Sequence, residues 1–120
     1  MFRIMSKSKI HSVQVTQTKL EYEGSITIDE EILREADILP GERVDVFNLS
    51  NGARFTTYAI SGEAGSGIVC VNGAAARLAQ VGDRVIVISY SLIAEEEISD
   101  FKMKVVLIGD GNRIVKKMER

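Results

Sequence analysis

The sequence predicts one small, mainly β domain with two short helices, and three observations carry that reading. Polar and apolar residues alternate along several short segments. Asn-Gly and Asp-Gly pairs punctuate them, and a Gly-acidic-Arg-Val tetrapeptide occurs twice. At 120 residues, with 45% hydrophobic and 27% charged residues, the chain fits a single globular domain over residues 1–120. A domain of this size buries roughly two-thirds of its unfolded surface, which serves one core.

His11–Thr16 alternates as a half-buried strand should. Asp29 can cap a helix that carries Ile32, Leu33 and Ala36 on one face and stops before Pro40-Gly41. Glu42–Asn48 alternates again, Ser50-Asn51-Gly52 supplies a hairpin turn, and Arg54–Ile60 is the return strand. Ser61–Gly67 is rich in Gly and Ser and reads as an exposed loop. Gly67–Val71 is a short strand, Gly73–Ala79 a second helix stopped near Gly82, and Arg84–Tyr90 another strand. Lys104–Ile108 and Arg113–Lys116 form the last pair, joined through Asp110-Gly111.

The repeated tetrapeptide is Gly41-Glu42-Arg43-Val44 and Gly82-Asp83-Arg84-Val85, each following a short helix. Two such units would interlock into a small closed barrel without exposed sheet edges. The same tetrapeptide is also a common turn into a strand, and the echo alone does not choose between these.

Composition removes several function classes. A net charge of −2 and a pI near 5.4 give no electrostatic reason to bind nucleic acid or an acidic membrane. No apolar run approaches the roughly 20 residues that span a bilayer. Met1–Lys7 has no apolar signal-peptide core, so a cytoplasmic location is expected. The single cysteine, Cys70, can form no internal disulfide, and within the apolar run Ile68–Val71 it reads as a buried small hydrophobe. One histidine, His11, leaves no multi-His metal site, so no metal is expected. Gly62–Gly67 lacks the spacing and the lysine of a phosphate loop. A reactive group, if there is one, has to come from elsewhere.

Tyr22-Glu23-Gly24-Ser25 offers one. A serine hydroxyl can attack the preceding carbonyl when the backbone bends, giving an ester by N-to-O acyl shift, and Gly24 tolerates strained dihedrals. The developing oxyanion needs a donor, which a threonine or a backbone N–H can supply. Elimination of the ester and hydrolysis leave a pyruvoyl group. A Gly-Ser pair by itself is usually only a turn.

The ordered set around it is more specific. Met5, Lys9-Ile10-His11, Val13 and Val15-Thr16 open the chain. Tyr22–Ser25, then Asn51-Gly52 with Arg54-Phe55 and Thr57-Tyr58-Ala59, then Val71-Asn72-Gly73-Ala74-Ala75-Ala76 with Val81-Gly82-Asp83 follow in order. Together they resemble the aspartate 1-decarboxylase family, from about Met1 to Tyr90 and more loosely to Asp110–Ile114; Glu95–Lys102 matches weakly. The resemblance implies a six-stranded double-psi β-barrel, closed and with short helices, assembled as a homotetramer with sites between subunits. It implies self-cleavage between Gly24 and Ser25 into a β chain 1–24 and an α chain 25–120, with Ser25 modified to the pyruvoyl cofactor. The cofactor's ketone would form a Schiff base with L-aspartate and act as electron sink while the α-carboxylate leaves, giving β-alanine for pantothenate synthesis. Matched position by position, Tyr58 is the proton donor and Thr57 assists cleavage and contacts substrate. Lys9 and Arg54 hold carboxylates, and Asn72, Gly73, Ala74 and Ala75 make the remaining substrate contacts.

These residue types suit the roles. Arg54 can grip a carboxylate bidentately, Lys9 supplies a point charge, and a tyrosine with pKa near 10 stays protonated at neutral pH. Gly73 followed by small residues at a helix start would expose N–H groups to an anion. Without the resemblance, Lys9 and Arg54 read as solvated strand charges, Tyr58 as a half-buried aromatic, and Ala74–Ala76 as helix packing. His11 either lines the site or satisfies a polar group of the core. Phe47 keeps an aromatic wall where some relatives carry an indole. A barrel that only binds a protein or peptide is the other class of function; it would need none of Ser25, Tyr58 and Arg54 together and would stay uncleaved. A pyridoxal enzyme would need a far longer chain.

Overall fold

The Asn51-Gly52 turn lies where the alternating pattern requires it. Gly52 takes φ +78°, and the Asn48 and Asn51 side chains each accept a backbone N–H two residues on, at 2.8 Å. The strands it joins are β4 (Arg43–Asn48) and β5 (Arg54–Gly62), antiparallel with Val46 opposite Phe55. In the computed structural model, which describes residues 1–120, the remaining strands are β1 (Phe2–Gln14), β2 (Gln17–Lys19), β3 (Ser25–Asp29), β6 (Val69–Asn72), β7 (Arg84–Ala94), β8 (Lys104–Ile108) and β9 (Ile114–Glu119). Their hydrogen-bonded order is β2-β6-β3-β5-β4-β7-β1-β8-β9. The protein is mainly β, as the sequence predicts.

One α-helix, α1 (Glu30–Ala36), follows β3. Asp29 caps it by accepting the Glu31 N–H at 2.8 Å, an interaction that typically contributes about 1 kcal/mol. The helix ends at Asp37, in the left-handed region at φ +56°, so the stop comes three residues before Pro40. It buries Ile32, Leu33 and Ala36, the face read from their spacing. The second expected helix is a 3₁₀ turn over Gly73–Leu78. Its first residue, Gly73, is held at φ +74°, which an α-helix start does not allow.

The expected exposed loop Ser61–Gly67 needs correction at both ends. Ser61 and Gly62 extend β5, and Gly67 is buried. The second carboxylate oxygen of Asp29 accepts the Gly67 N–H at 2.8 Å, while the first also takes the Gly65 N–H at 3.0 Å. From the other side Asn112 donates to the Gly67 and Gln14 carbonyls, both at 2.8 Å. Two buried polar side chains thus satisfy backbone groups that a loop at the surface would leave to water.

The repeated tetrapeptide marks two equivalent units. Gly41 N–H donates to the Ala59 carbonyl and Ala59 N–H to Glu42; in the second unit Gly82 N–H donates to Val15 and Val15 N–H to Asp83. The glycines share positive φ, +88° and +98°. Val46 and Val87 each lie five positions after their glycine, and they are partners in the antiparallel β4–β7 ladder. This is the pattern of an internal two-fold axis, so the echo is more than a common turn. The ladder order itself is open, with β2 and β9 at its ends.

Alternate residues of the strands converge on a core of 19 buried side chains that includes Ile10, Val13, Ile26, Ile28, Val44, Val46, Val69, Val71, Val85 and Val87. Each large member contributes roughly 1.5–3 kcal/mol by leaving water. Cys70, although buried, is not part of that cluster. No helix is long and apolar enough to cross a membrane.

Candidate active site

Ser25 opens β3 opposite Asn72, the last residue of β6. It is 1% exposed, so its hydroxyl must find partners inside the protein. The Asn72 Nδ2 group donates to Ser25 Oγ at 2.9 Å and to Thr27 Oγ1 at 3.0 Å. Ser25 Oγ lies 3.4 Å from the Glu23 carbonyl, a long contact that leaves the hydroxyl free to turn. At its other end Asn72 Oδ1 sits 3.2 Å from the Cys70 thiol.

The segment before Ser25 passes very close to Gly73. A Cβ at Gly73 would lie 2.7 Å from Gly24 Cα and 2.9 Å from the Tyr22 carbonyl, and φ +74° already disfavours any other residue. Gly24, by contrast, has no positive φ, and a Cβ there would meet nothing within 4 Å. The demand for glycine that the sequence suggested at Gly24 therefore falls, in this structure, on Gly73. After it, Ala74 is exposed and Ala75 packs partly on the core.

On the other side of β3 runs β5, parallel, with Ile26 beside Ala59 and Thr27 beside Ile60. One step back along both strands brings Tyr58 level with Ser25 and Thr57 level with Gly24. Tyr58 is 38% exposed, which leaves its ring open to solvent beside the buried serine. Ser25, Thr57, Tyr58, Asn72 and Gly73 are thus gathered where the start of β3 lies between the end of β6 and the middle of β5.

Lys9 and Arg54 are not gathered there. Lys9 pairs with Ile88, Ile88 with Asp45, and Asp45 with Thr56, so three ladder steps, on the order of 14 Å, separate Lys9 from β5. Arg54 lies four residues from Tyr58 along β5, about 13 Å at strand rise. Arg54 belongs to a second cluster, with Phe47, Asp45, Thr56 and Tyr90, and Lys9 stands apart from both. The Arg54 guanidinium stacks on the Phe47 ring at 4.0 Å, and Phe47 is the aromatic wall expected from the sequence. His11 stands two residues from Lys9; burial first, then the Lys9 charge, holds its pKa below the ordinary value and favours the neutral imidazole. Asp45 accepts the Thr56 hydroxyl at 2.6 Å and the Tyr90 hydroxyl at 2.9 Å. The Thr56 hydrogen bond chiefly holds its carboxyl below the usual range, with Tyr90, Arg43 and Arg54 acting the same way against burial. Two surface depressions adjoin this cluster, one lined by Ile4, Arg43, Asp45 and Tyr90, the other by Asp45, Phe47, Arg54, Phe55 and Thr56.

Sequence reasoning did not single out Thr27 or Asp45; it read Cys70 as a buried small hydrophobe, and Cys70 is free and buried beside Asn72. Strand period supplies the missing signal for the first and last: Thr27 shares a face with Ser25, and Cys70 with Asn72.

Comparison with known proteins identifies the family. The family profile described as "Aspartate decarboxylase" matches residues 1–115. The aspartate 1-decarboxylase of Thermoanaerobacter pseudethanolicus is 56% identical over 96% of this chain and 98% of its own. That of Halalkalibacterium halodurans is 52% identical, over 98% and 93%, and that of Carboxydothermus hydrogenoformans 53%, over 100% and 94%. Among solved structures, a rationally designed protein called mkDPBB_sym_86 aligns at TM-score 0.48 and 16% identity, over 66% of this chain and 91% of that one. With more than half its residues identical to those relatives along nearly its whole length, and one family profile covering all but its last residues, the chain belongs to the aspartate decarboxylase family.

Proposed function

We propose that this single-domain chain, residues 1–120, cuts itself between Gly24 and Ser25 into segments 1–24 and 25–120 and then decarboxylates L-aspartate to β-alanine, the building block of pantothenate and coenzyme A. The observation that carries the reading is a buried Ser25 Oγ held at 2.9 Å by an amide N–H, in a chain of this family.

The cleavage balances without an oxidant. Ser25 Oγ bonds to the Gly24 carbonyl carbon, the peptide C–N bond breaks, and the hydroxyl proton ends on the freed Ser25 nitrogen. The ester then loses the Ser25 α-proton and the Gly24 carboxylate, leaving dehydroalanine. Water adds, ammonia leaves, and residue 25 ends as a pyruvoyl group. Asn72 favours the oxygen as it loses its proton, and Thr57, level with Gly24, is the donor toward the carbonyl oxygen. The surroundings fit the product. Ser25 is buried, faces one amide donor, and Gly73 has no Cβ to press on the preceding Gly24.

When formed, the pyruvoyl group supplies an electron sink for the electrons released with the α-carboxylate. The chain's own residues do the rest. Tyr58, solvent-accessible and level with residue 25, delivers the proton that replaces the carboxylate. Arg54 grips a carboxylate of L-aspartate with Lys9 as second cation, and Asn72 and the backbone of Gly73, Ala74 and Ala75 orient it. Because Lys9 and Arg54 stand away from their own Ser25, we assign their partnership to a neighbouring copy in a homotetramer. Exposed apolar side chains such as Phe2, Ile4 and Leu92 are consistent with surfaces that other copies cover.

The fold reading goes with it: a closed six-stranded double-psi barrel. Support comes from β1 and β2, one run of chain. β1 pairs with β7 while β2 pairs with β6, and the Thr16 N–H between them donates to Val69 at 2.8 Å. Counting β1–β2 as one strand, the order β7-β4-β5-β3-β6 returns to its start under the internal two-fold. Neither nucleic acid nor membrane enters this reading, and a cytoplasmic location follows from it.

The experiment is incubation of purified protein with L-aspartate, read by proton NMR. β-Alanine should appear with the native chain and not with Ser25→Ala. An active Ser25→Ala protein contradicts the reading.

A further inference from the structure

Four polar side chains stand together in an otherwise apolar ladder. Across β3 and β6, Ser25 pairs with Asn72 and Thr27 with Cys70. Strand period turns Val69 and Val71 to the core and Cys70 and Asn72 to the opposite face, where Ser25 and Thr27 meet them. Cys70 is 2% exposed yet absent from the core cluster. Its sulfur faces an amide.

The Asn72 amide has two ends of nearly equal size and opposite hydrogen-bonding character. Which end meets Ser25 decides what the serine oxygen experiences. Ser25 and Thr27 cannot set this themselves, since a hydroxyl accepts from an N–H or donates to a carbonyl equally well. The thiol breaks the tie. At 3.2 Å from Oδ1 its S–H donates to the carbonyl end, and burial pushes the thiol pKa up, so that it keeps its proton at neutral pH. A flipped amide would set its NH₂ against sulfur, a weak acceptor. Thr27 Oγ1 takes the second N–H and completes the fixing.

We propose that Cys70 and Thr27 are positioning residues for self-cleavage: the Cys70 thiol fixes the Asn72 amide with an N–H, not the carbonyl, toward Ser25 Oγ, and the Thr27 hydroxyl, taking the second N–H, holds the amide in place. The inference rests on the cleavage reading above. As Ser25 Oγ bonds to the Gly24 carbon and gives up its proton, an N–H stabilises the charge passing through the oxygen, whereas a carbonyl oxygen would oppose it. Nothing in this role calls for a reactive thiol. Cys70 donates a hydrogen bond and is not consumed.

The test is a time course of intact mass on freshly made full-length chain for the native protein, Cys70→Ala, Cys70→Ser and Thr27→Val. Thermal midpoints of the same variants are measured in an uncleavable Ser25→Ala background. Loss of one orienting hydrogen bond should slow cleavage about tenfold in Cys70→Ala and in Thr27→Val. Cys70→Ser keeps a donor and should stay within about threefold of the native rate, a rescue that packing alone does not produce. If Cys70→Ala does not fold, the comparison of Cys70→Ser with Thr27→Val decides. Cys70→Ser cleaving as slowly as Cys70→Ala, or Thr27→Val at the native rate, overturns the inference while leaving self-cleavage standing. A native chain that never cleaves overturns both, and the native time course tells the two failures apart.

Discussion

The two functional clusters of this chain are built in opposite ways. In the group around Ser25, the serine, Asn72 and Gly73 are buried beside a solvent-open Tyr58, and backbone register and hydrogen bonds hold it: Asn72 across one ladder, Tyr58 beside the other, Gly73 pressed against Gly24. The group around Arg54 lies on the outside of β4, β5 and β7, carries charge, and adjoins open depressions. The contacts that hold the first all come from its own chain. The second holds side chains suited to a dicarboxylic substrate, but has no reacting atom within reach. On the proposed reading the difference separates bond cutting from substrate holding: one folded chain would cut itself, whereas turnover would bring the Ser25 cluster of one copy to the Arg54 cluster of another.

Variants can break that division, and the largest effect should come at the serine. Ser25→Ala abolishes both cleavage and turnover in a folded protein, as intact mass and β-alanine production will read. Mixed in one assembly with Arg54→Ala, it should regain part of the activity, because some sites then combine an intact serine with an intact arginine. No recovery on coexpression would place both clusters of a working site in one chain.

Next in size is Tyr58→Phe, which should still cleave but lose turnover by about 10²–10⁴, the usual worth of a general acid. Gly73→Ala should lower the thermal midpoint and stall cleavage, since strain at φ +74° costs roughly 1–3 kcal/mol before the clash with Gly24 is counted. Gly24→Ala, with open space around it, should leave the midpoint unchanged. Equal midpoints for the two would remove the close approach from the account. Arg54→Ala alone should raise KM for L-aspartate about tenfold to a hundredfold, as expected for losing hydrogen bonds to a charged group.

The smallest effect is a pH dependence at the second cluster. Asp45 has its folded pKa lowered, mainly by the Thr56 hydroxyl. The unfolded chain therefore binds its proton at higher pH than the folded one, and the stability this contributes is present above the unfolded value near 3.9. It is lost as pH falls through the lower folded value. Asp45→Asn should thus be less stable than the native chain at neutral pH, with the gap closing below about pH 4. A gap that widens on acidification would reverse the sign.

Much of this was legible in the residues. Asn51-Gly52 marked the hairpin, Asp29 the helix cap, and the two Gly-acidic-Arg-Val turns marked units that pair through Val46 and Val87. What stayed hidden has physical causes. β3 was not read as a strand because Ser25–Asp29 is short and runs straight into the helix that Asp29 caps. β1 begins at Phe2, well before the alternation at His11, and its register shifts between Ser6 and Ser8 and again between Ile10 and Val13 break the period. Gly67 read as the junction of an exposed loop and a short strand, and only distant partners, Asp29 and Asn112, bury it. In the site, the motif assembled Ser25, Thr57, Tyr58, Asn72 and Gly73 without geometry. The distance of Arg54 from Tyr58 follows from four positions along one strand, whereas the separation of Lys9 depends on strand order, which no local pattern encodes.

The most direct measurement is a denaturing intact-mass spectrum of the purified protein after prolonged incubation. Two chains, ending at Gly24 and starting at residue 25, with the larger lighter by the mass of ammonia than a simple hydrolysis product, are the predicted result. A single full-length mass under conditions in which the protein is folded would contradict self-cleavage by a lone chain.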